Sequence, residues 1–309
     1  MSRVRKTPLR PAGVSANMRP NMVYEHSEST LSTFTASDGD NLAMQDWPAP
    51  ENIALRGTVV IVHGLGEHAG RYDPVARRLN EWGFGVRGYD HYGHGDSGGE
   101  RGGLPIDSRL IDDLGDVIDS TRQKMDAGLP LIVLGHSMGG LVAACLAAIG
   151  HVRIDALVLS SPALDAGLSP IQKLLLATLP RFAPNFSVSN GVDAHYISHD
   201  PAVVAAYQAD PRVHNRISAR LGRFIAEAGP MVIAHAPEWS VPTLLMYAGQ
   251  DRLVNPAGSR AFAQSAPPQM VTSHCFEHAY HEIFNEPDKD EVFTVLNKWL
   301  DAHVPAHGA

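Results

Sequence analysis

The sequence predicts an α/β fold in which a mostly parallel central sheet, opened by an N-terminal antiparallel hairpin, carries helices on both faces and a helical cap insertion. Three observations point there. From residue 58 onward, short β-rich runs alternate with longer stretches of helical periodicity, the mark of parallel βαβ units. That alternation breaks once, between Pro162 and Val241, where no convincing apolar strand occurs. Before it begins, Asp38-Gly39-Asp40 separates two short runs in the manner of a hairpin turn.

Taken in order, the hairpin strands fall at 32–35 and 41–45. The parallel strands follow at 58–62, 84–89, 131–134, 154–159, 243–247 and 270–275, each ending near turn residues. Helical patterns occupy 71–82, 108–126, 138–149, 257–265 and 288–300. In the interrupted region, the segment from Pro170 to Leu179 reads as a helix within an insertion that covers the sheet. The organisation that results is a flexible basic tail at 1–25, a core built from 26–162 and 241–309, and a cap at 163–240.

The 309 residues exceed the usual single-domain size, yet α/β chains of this length form one body with an inserted subdomain. With 44% hydrophobic and 19% charged residues, the chain can bury a large interior and is too apolar for disorder. A formal charge of -8 argues against nucleic acid, whose phosphates need clustered Lys and Arg. The two cysteines, Cys145 and Cys275, sit in apolar runs and do not make a disulfide framework. Arg3, Arg5, Lys6, Arg10 and Arg19 give the tail its charge, but no secretory apolar segment follows them, so a cytoplasmic protein is expected. No apolar run is long enough to span a membrane.

Two pentapeptides match Gly-x-Ser-x-Gly, at 95–99 and at 135–139. Context separates them, because a nucleophile elbow needs a buried strand before the serine and a helix straight after it. Ser137 has Leu131-Ile132-Val133-Leu134 before it and an Ala- and Leu-rich helix behind it; Ser97 has neither. The stretch around Ser97 also resembles the nucleophile segment of chymotrypsin-like proteases, but those are all-β and order their triad His, Asp, Ser. Ser97 is therefore read as a loop residue.

A serine hydroxyl needs a base to take its proton as it attacks a carbonyl. Where the nucleophile sits on such an elbow, the chain order is nucleophile, acid, base. Of the 16 histidines, His281 lies after the last strand and before the last helix, with His278 its near competitor. The acid belongs on the loop after the penultimate strand, where Asp251 stands; ionised and fixed, it would hold the imidazole tautomer and stabilise the imidazolium. The backbone N–H of Met138, just past the nucleophile, would give one oxyanion donor. That of Leu65, in the turn His63-Gly64-Leu65-Gly66, would give the other.

Two rival signals overlap these. Gly64-Leu65-Gly66-Glu67-His68-Ala69 fits a dinucleotide-binding turn with Asp90 after the next strand, but that reading leaves the contexts of Ser137, Asp251 and His281 as coincidences. The run from Asp90 to Asp96 holds Asp90, His91, His94 and Asp96, at spacings that match no familiar metal pattern. No metal or cofactor is expected.

With these residues assembled, the chain resembles the monoacylglycerol lipase and lysophospholipase branch of the α/β-hydrolases, which includes serine aminopeptidase S33-type hydrolases. The resemblance covers roughly residues 30–302. It rests on the block from His63 to Tyr72, on Asp90 to Gly98 with Arg101-Gly102, on Gly135 to Gly140, and on Tyr280-His281-Glu282. It implies that Ser137, Asp251 and His281 form the triad, that Leu65 and Met138 are oxyanion donors, and that single-chain lipid esters such as monoacylglycerols are substrates. Short-chain esterase, aminopeptidase, thioesterase or acyltransferase chemistry would use the same triad with a different pocket, and a non-catalytic binding protein would keep the fold alone.

The cap resembles the family's lid at Tyr207-Gln208-Ala209-Asp210-Pro211, which places Tyr207 at the pocket, and departs from it over much of 163–206. Leu168, Leu174, Leu175, Leu179 and Phe182 either line an acyl tunnel or pack the lid on the sheet. An apolar lid face of this kind would also touch lipid, making a peripheral membrane contact.

Overall fold

The structure, a computed structural model, describes residues 28–305. The basic tail expected at 1–25 lies outside the described residues. The first strand, β1 (Thr30–Thr35), pairs antiparallel with β2 (Asn41–Trp47) around the Asp38-Gly39 turn. Then come β3 (Gly57–Val62), helix α1 (Asp73–Glu81), β4 (Phe84–Tyr89), α2 (Arg109–Lys124), β5 (Leu131–His136), α3 (Met138–Ile149) and β6 (Ala156–Ser160). Between β6 and the next sheet strand lie α4 (Pro170–Phe182), β7 (Ser187–Ser189), α5 (Pro201–Ala209), β8 (Arg216–Ser218) and α6 (Ala219–His235). The chain closes with β9 (Thr243–Ala248), α7 (Pro256–Ser265), β10 (Val271–Phe276) and α8 (Lys289–His303).

Eight strands form one sheet in the order β1-β2-β4-β3-β5-β6-β9-β10, antiparallel at β1/β2 and β2/β4 and parallel from β4 to β10. The alternation of a strand explains how both faces are covered: Val60 and Val62 of β3 belong to the core shared with α2, α3, α6 and α7, while Val59 and Ile61 belong to the core shared with α1 and α8. Because every parallel strand runs the same way, the loops after β3, β4, β5, β9 and β10 gather at one edge, where open α/β sheets bind ligands.

The expected elements recur with small shifts. The expected strand at 154–159 begins later, at Ala156; just before it, Asp155 meets the start of β5 with its N–H on the Leu131 carbonyl at 3.0 Å and its carboxylate, in place of a backbone carbonyl, on the Leu131 N–H at 2.8 Å. The insertion is not wholly helical: β7 and β8 pair antiparallel over three residues each. Strands so short and so exposed carry no apolar alternation to read. Among the described residues no helix is long and apolar enough to cross a membrane.

Candidate active site

Ser137 sits between β5 and α3 with φ 53° and ψ -120°, one of two non-glycine residues with positive φ among those described. Such a backbone costs roughly 1–3 kcal/mol and persists only where neighbours enforce it. Here the Ser137 N–H donates to the Ser160 carbonyl at 2.9 Å, and its own carbonyl accepts from Leu141 and Ala163, each at 3.0 Å. The flanking glycines let the pieces meet. A Cβ on Gly135 would lie 2.6 Å from the Gly139 carbonyl, and one on Gly139 would lie 2.1 Å from the Val62 carbonyl.

After β9 the chain turns to Asp251, and after β10 to His281. These loops are tied together by Gly249 N–H to Phe276 carbonyl, 2.8 Å, and Gln250 N–H to Ala279 carbonyl, 3.1 Å. His281 Nδ1 and Asp251 Oδ2 are 2.6 Å apart, both side chains buried, and Asp251 Oδ1 accepts from the Leu253 and Val254 N–H groups at 2.9 Å each. Burial alone would raise the Asp251 carboxyl, but the charge and hydrogen bond of His281, with the two N–H groups, hold it below the ordinary value. Burial alone would lower His281; Asp251, helped by Glu282 and Glu67, lifts it above the ordinary imidazole value. His278, the sequence competitor, is exposed and lines no part of the cavity described below.

Ser137 and His281 open into one cavity of about 520 Å³, which Leu65 and Met138 also line. Met138 is the first residue of α3, so its N–H has no partner within the helix. In the opposing turn the Gly64 N–H is already committed to Glu67 Oε1 at 2.6 Å, leaving the next peptide, that of Leu65, at the cavity wall.

Of the pocket residues expected from sequence, Leu168, Leu175, Leu179 and Tyr207 line this cavity. Leu174 and Phe182 do not, and this corrects the expectation. They are 65% and 88% exposed, on the side of α4 shared with Ile171, whereas Gln172, Leu175, Leu176 and Leu179 share the inward side.

Sequence reasoning missed the charged cluster beneath the site. Arg71 clamps Glu282 with two bonds of 2.7 and 2.8 Å, and also pairs with Glu67. Glu67 accepts from the Tyr72 hydroxyl at 2.7 Å as well. Burial opposes charge on Glu67, yet Arg71 and the neighbouring His136 and His63 hold it well below the usual carboxylate range. His136, whose ring stands 4.7 Å from that of His281, is pushed down to about 4 by burial and by the charge of His281, so it stays neutral. The signal was present as an acid inside a Gly-rich turn. A dinucleotide phosphate would meet that buried carboxylate, which argues against the dinucleotide-binding reading. The lid signature at 207–211 also finds its reason here: Arg71 stacks over the Tyr207 ring at 4.8 Å, and Asp210 bonds His68 Nε2 at 2.8 Å.

The decoys resolve into structure. Ser97 donates to the Asp90 carbonyl and accepts from the Ala43 N–H, and Asp90 accepts from the Ala69 and Asp96 N–H groups. Among the described residues no group of three or more His, Cys, Asp or Glu side chains is placed to hold a metal.

Residues 54–288 match the family model for serine aminopeptidase, S33. The monoacylglycerol lipase of Mycolicibacterium smegmatis is 38% identical over 252 residues, covering 81% of this chain and 89% of that one. The monoglyceride lipase of Homo sapiens is 32% identical over 282 residues, covering 88% and 90%. The crystal structure of Paleococcus ferrophilus monoacylglycerol lipase superposes with a TM-score of 0.76 at 35% identity, covering 85% of this chain and 99% of that one. A soluble variant of the Saccharomyces cerevisiae monoglyceride lipase, with a substrate analogue bound, shares the fold at a TM-score of 0.81 and 23% identity, over 91% and 97% of the two chains.

Proposed function

The chain belongs to the serine aminopeptidase S33 family of α/β-hydrolases and is a serine hydrolase of carboxylic esters, and from that premise we propose that it cleaves monoacylglycerols through Ser137, His281 and Asp251. The observation that carries the reading is the cavity. Its walls, contributed chiefly by the insertion, are aliphatic, with Leu168, Leu175, Leu176 and Leu179 among them, and it also takes in the buried polar groups Glu67, His136 and Glu282. A substrate with one acyl chain and a hydroxylated head group meets both chemistries.

In the mechanism, His281 keeps Nδ1–H on Asp251 and so offers Nε2 to the Ser137 hydroxyl. Ser137 Oγ attacks the ester carbonyl carbon as Nε2 takes the proton. The tetrahedral oxyanion is met by the N–H groups of Met138 and Leu65, each worth roughly 10²–10³ in turnover. His281 then protonates the leaving alcohol, and water, activated by the same imidazole, releases the fatty acid and restores Ser137.

We read residues 163–240 as a cap. Its outer face presents Ile171, Leu174, Phe182 and Phe186, 73%, 65%, 88% and 56% exposed. Leu175, Phe186 and Val188 line the cavity while themselves partly exposed, so the mouth opens beside that apolar face. A lipid surface is the partner this arrangement suits. An aminopeptidase would need a carboxylate free to bind a substrate amine; Glu67 and Glu282 are both engaged by Arg71.

The test is an ester panel graded by acyl length, monoacylglycerols included, with Ser137→Ala as blank and fluorophosphonate labelling alongside. Turnover that rises with acyl length and labelling lost in Ser137→Ala are expected. Equal labelling of the two proteins would refute the nucleophile.

A further inference from the structure

Helix α6 contains two glycines, one set against backbone and the other against a side chain. A Cβ on Gly229 would lie 2.2 Å from the Leu164 carbonyl, so the backbone there admits nothing larger. At Gly222 the nearest neighbours are side-chain ends: a Cβ there would lie 3.0 Å from Leu176 Cδ2, a contact tight enough that the leucine must give, 3.8 Å from Ile217 Cδ1 and 3.9 Å from Leu176 Cδ1. An interior helical glycine gives up roughly 1 kcal/mol against alanine, and here no backbone is among the nearest neighbours, as it is at Gly229.

What Gly222 does border is the cavity. On α6 the cavity-facing residues are Ala219, Gly222 and Ile225, one turn apart, and across the space α4 presents Leu175, Leu176 and Leu179. Gly222 is thus a bare step in one apolar wall, against which the end of the Leu176 side chain rests. A side chain there would push Leu176 off α6 and into the width an acyl chain would fill.

We propose that Gly222 and Leu176 together gauge acyl-chain length, the missing side chain at 222 letting Leu176 lie back against α6 so that the tunnel stays open to long chains. This rests on the lipid-ester reading. Each methylene denied burial is worth about three- to fourfold in kcat/KM, so a side chain that excludes two or three methylenes lowers long-chain selectivity by roughly ten- to fiftyfold.

The experiment measures kcat/KM for p-nitrophenyl esters from butyryl to palmitoyl and for monoacylglycerols of matching length, in the parent protein, Gly222→Ala, Gly222→Leu and the double variant Gly222→Leu/Leu176→Ala. The palmitoyl-to-butyryl ratio should fall about twofold or more in Gly222→Ala, tenfold or more in Gly222→Leu, and recover in the double variant. Gly222→Ala gains helix propensity and crowds only a flexible leucine end, so it should stay folded while its ratio falls, which keeps the proposal testable if the leucine variant does not fold. An unchanged ratio, or an equal loss at every length, overturns the gauge. A parent protein whose turnover is flat across the series overturns the lipid-ester reading itself.

Discussion

The imidazole of His281 and the carboxylate of Asp251 meet at 2.6 Å in a buried pair that raises one pKa and lowers the other. As the proposed base, His281 must be neutral to accept the Ser137 proton. Because its pKa is raised, kcat/KM should climb with pH through a midpoint above the ordinary imidazole value of about 6.5. Asp251→Asn removes the charge that lifts it, so the limb should move to lower pH while the plateau drops by on the order of 10⁴-fold. A pH–rate profile of both proteins decides this; an acid limb that stays in place would mean that another group sets it.

The Glu67 cluster makes a prediction about stability. Removing its carboxylate strands the Gly64 N–H, the Tyr72 hydroxyl and one arm of Arg71. Glu67→Ala should therefore lose about 3–5 kcal/mol in urea denaturation, and Glu67→Gln, which can still accept from Gly64 and Tyr72, distinctly less. The folded-state pKa of Glu67 is depressed, so its contribution is complete above the unfolded value of about 4.3 and fades as pH falls toward the folded one. The parent should lose stability on acidification more steeply than Glu67→Gln. Parallel curves would remove the ionised carboxylate from the account.

How legible this molecule is from sequence depends on how local the cause is. Helix α3 and strand β4 keep the boundaries their patterns give, because apolar runs bounded by glycine are local signals. Ser137, Asp251 and His281 could be named because each follows a strand in a fixed chain order. The Arg71–Glu282 clamp could not, since its partners are 211 residues apart and each looks like a surface charge. The faces of α4 stay unresolved in the sequence for the opposite reason: leucines stand on both sides of it, and composition alone does not say which side turns inward. Gly222 escaped notice because a glycine's reason lies in what it leaves empty.

The outer face of α4 can be separated from the chemistry. Leu174→Ser and Phe182→Ser alter exposed side chains outside the cavity, so stability should stay within about 0.5 kcal/mol and turnover of a water-soluble butyryl ester within about twofold. Binding to phosphatidylcholine vesicles in a flotation assay should fall severalfold, and with it the turnover of vesicle-borne monoacylglycerol. Unchanged flotation of the double variant would remove this face as the lipid contact.

Two glycines at opposite ends of α3 separate packing from backbone strain. Gly150 closes the helix with φ 71° and nothing within 4 Å of a Cβ, so Gly150→Ala faces only the left-handed backbone penalty of about 1 kcal/mol. Gly139 is different. Its added methyl would lie 2.1 Å from the Val62 carbonyl and 2.4 Å from that of His63, backbone atoms at the end of β3 that cannot rotate away. Helix α3 would have to lift off the sheet, carrying the Met138 N–H away from the turn that holds Leu65. Gly139→Ala should cost more than about 4 kcal/mol or prevent folding, and any folded fraction should lose kcat far more than it gains in KM, since the two N–H groups proposed to meet the oxyanion would no longer converge. Urea denaturation of the two variants side by side makes the comparison; similar losses for both would mean that α3 does not seat on β3 as tightly as the elbow requires.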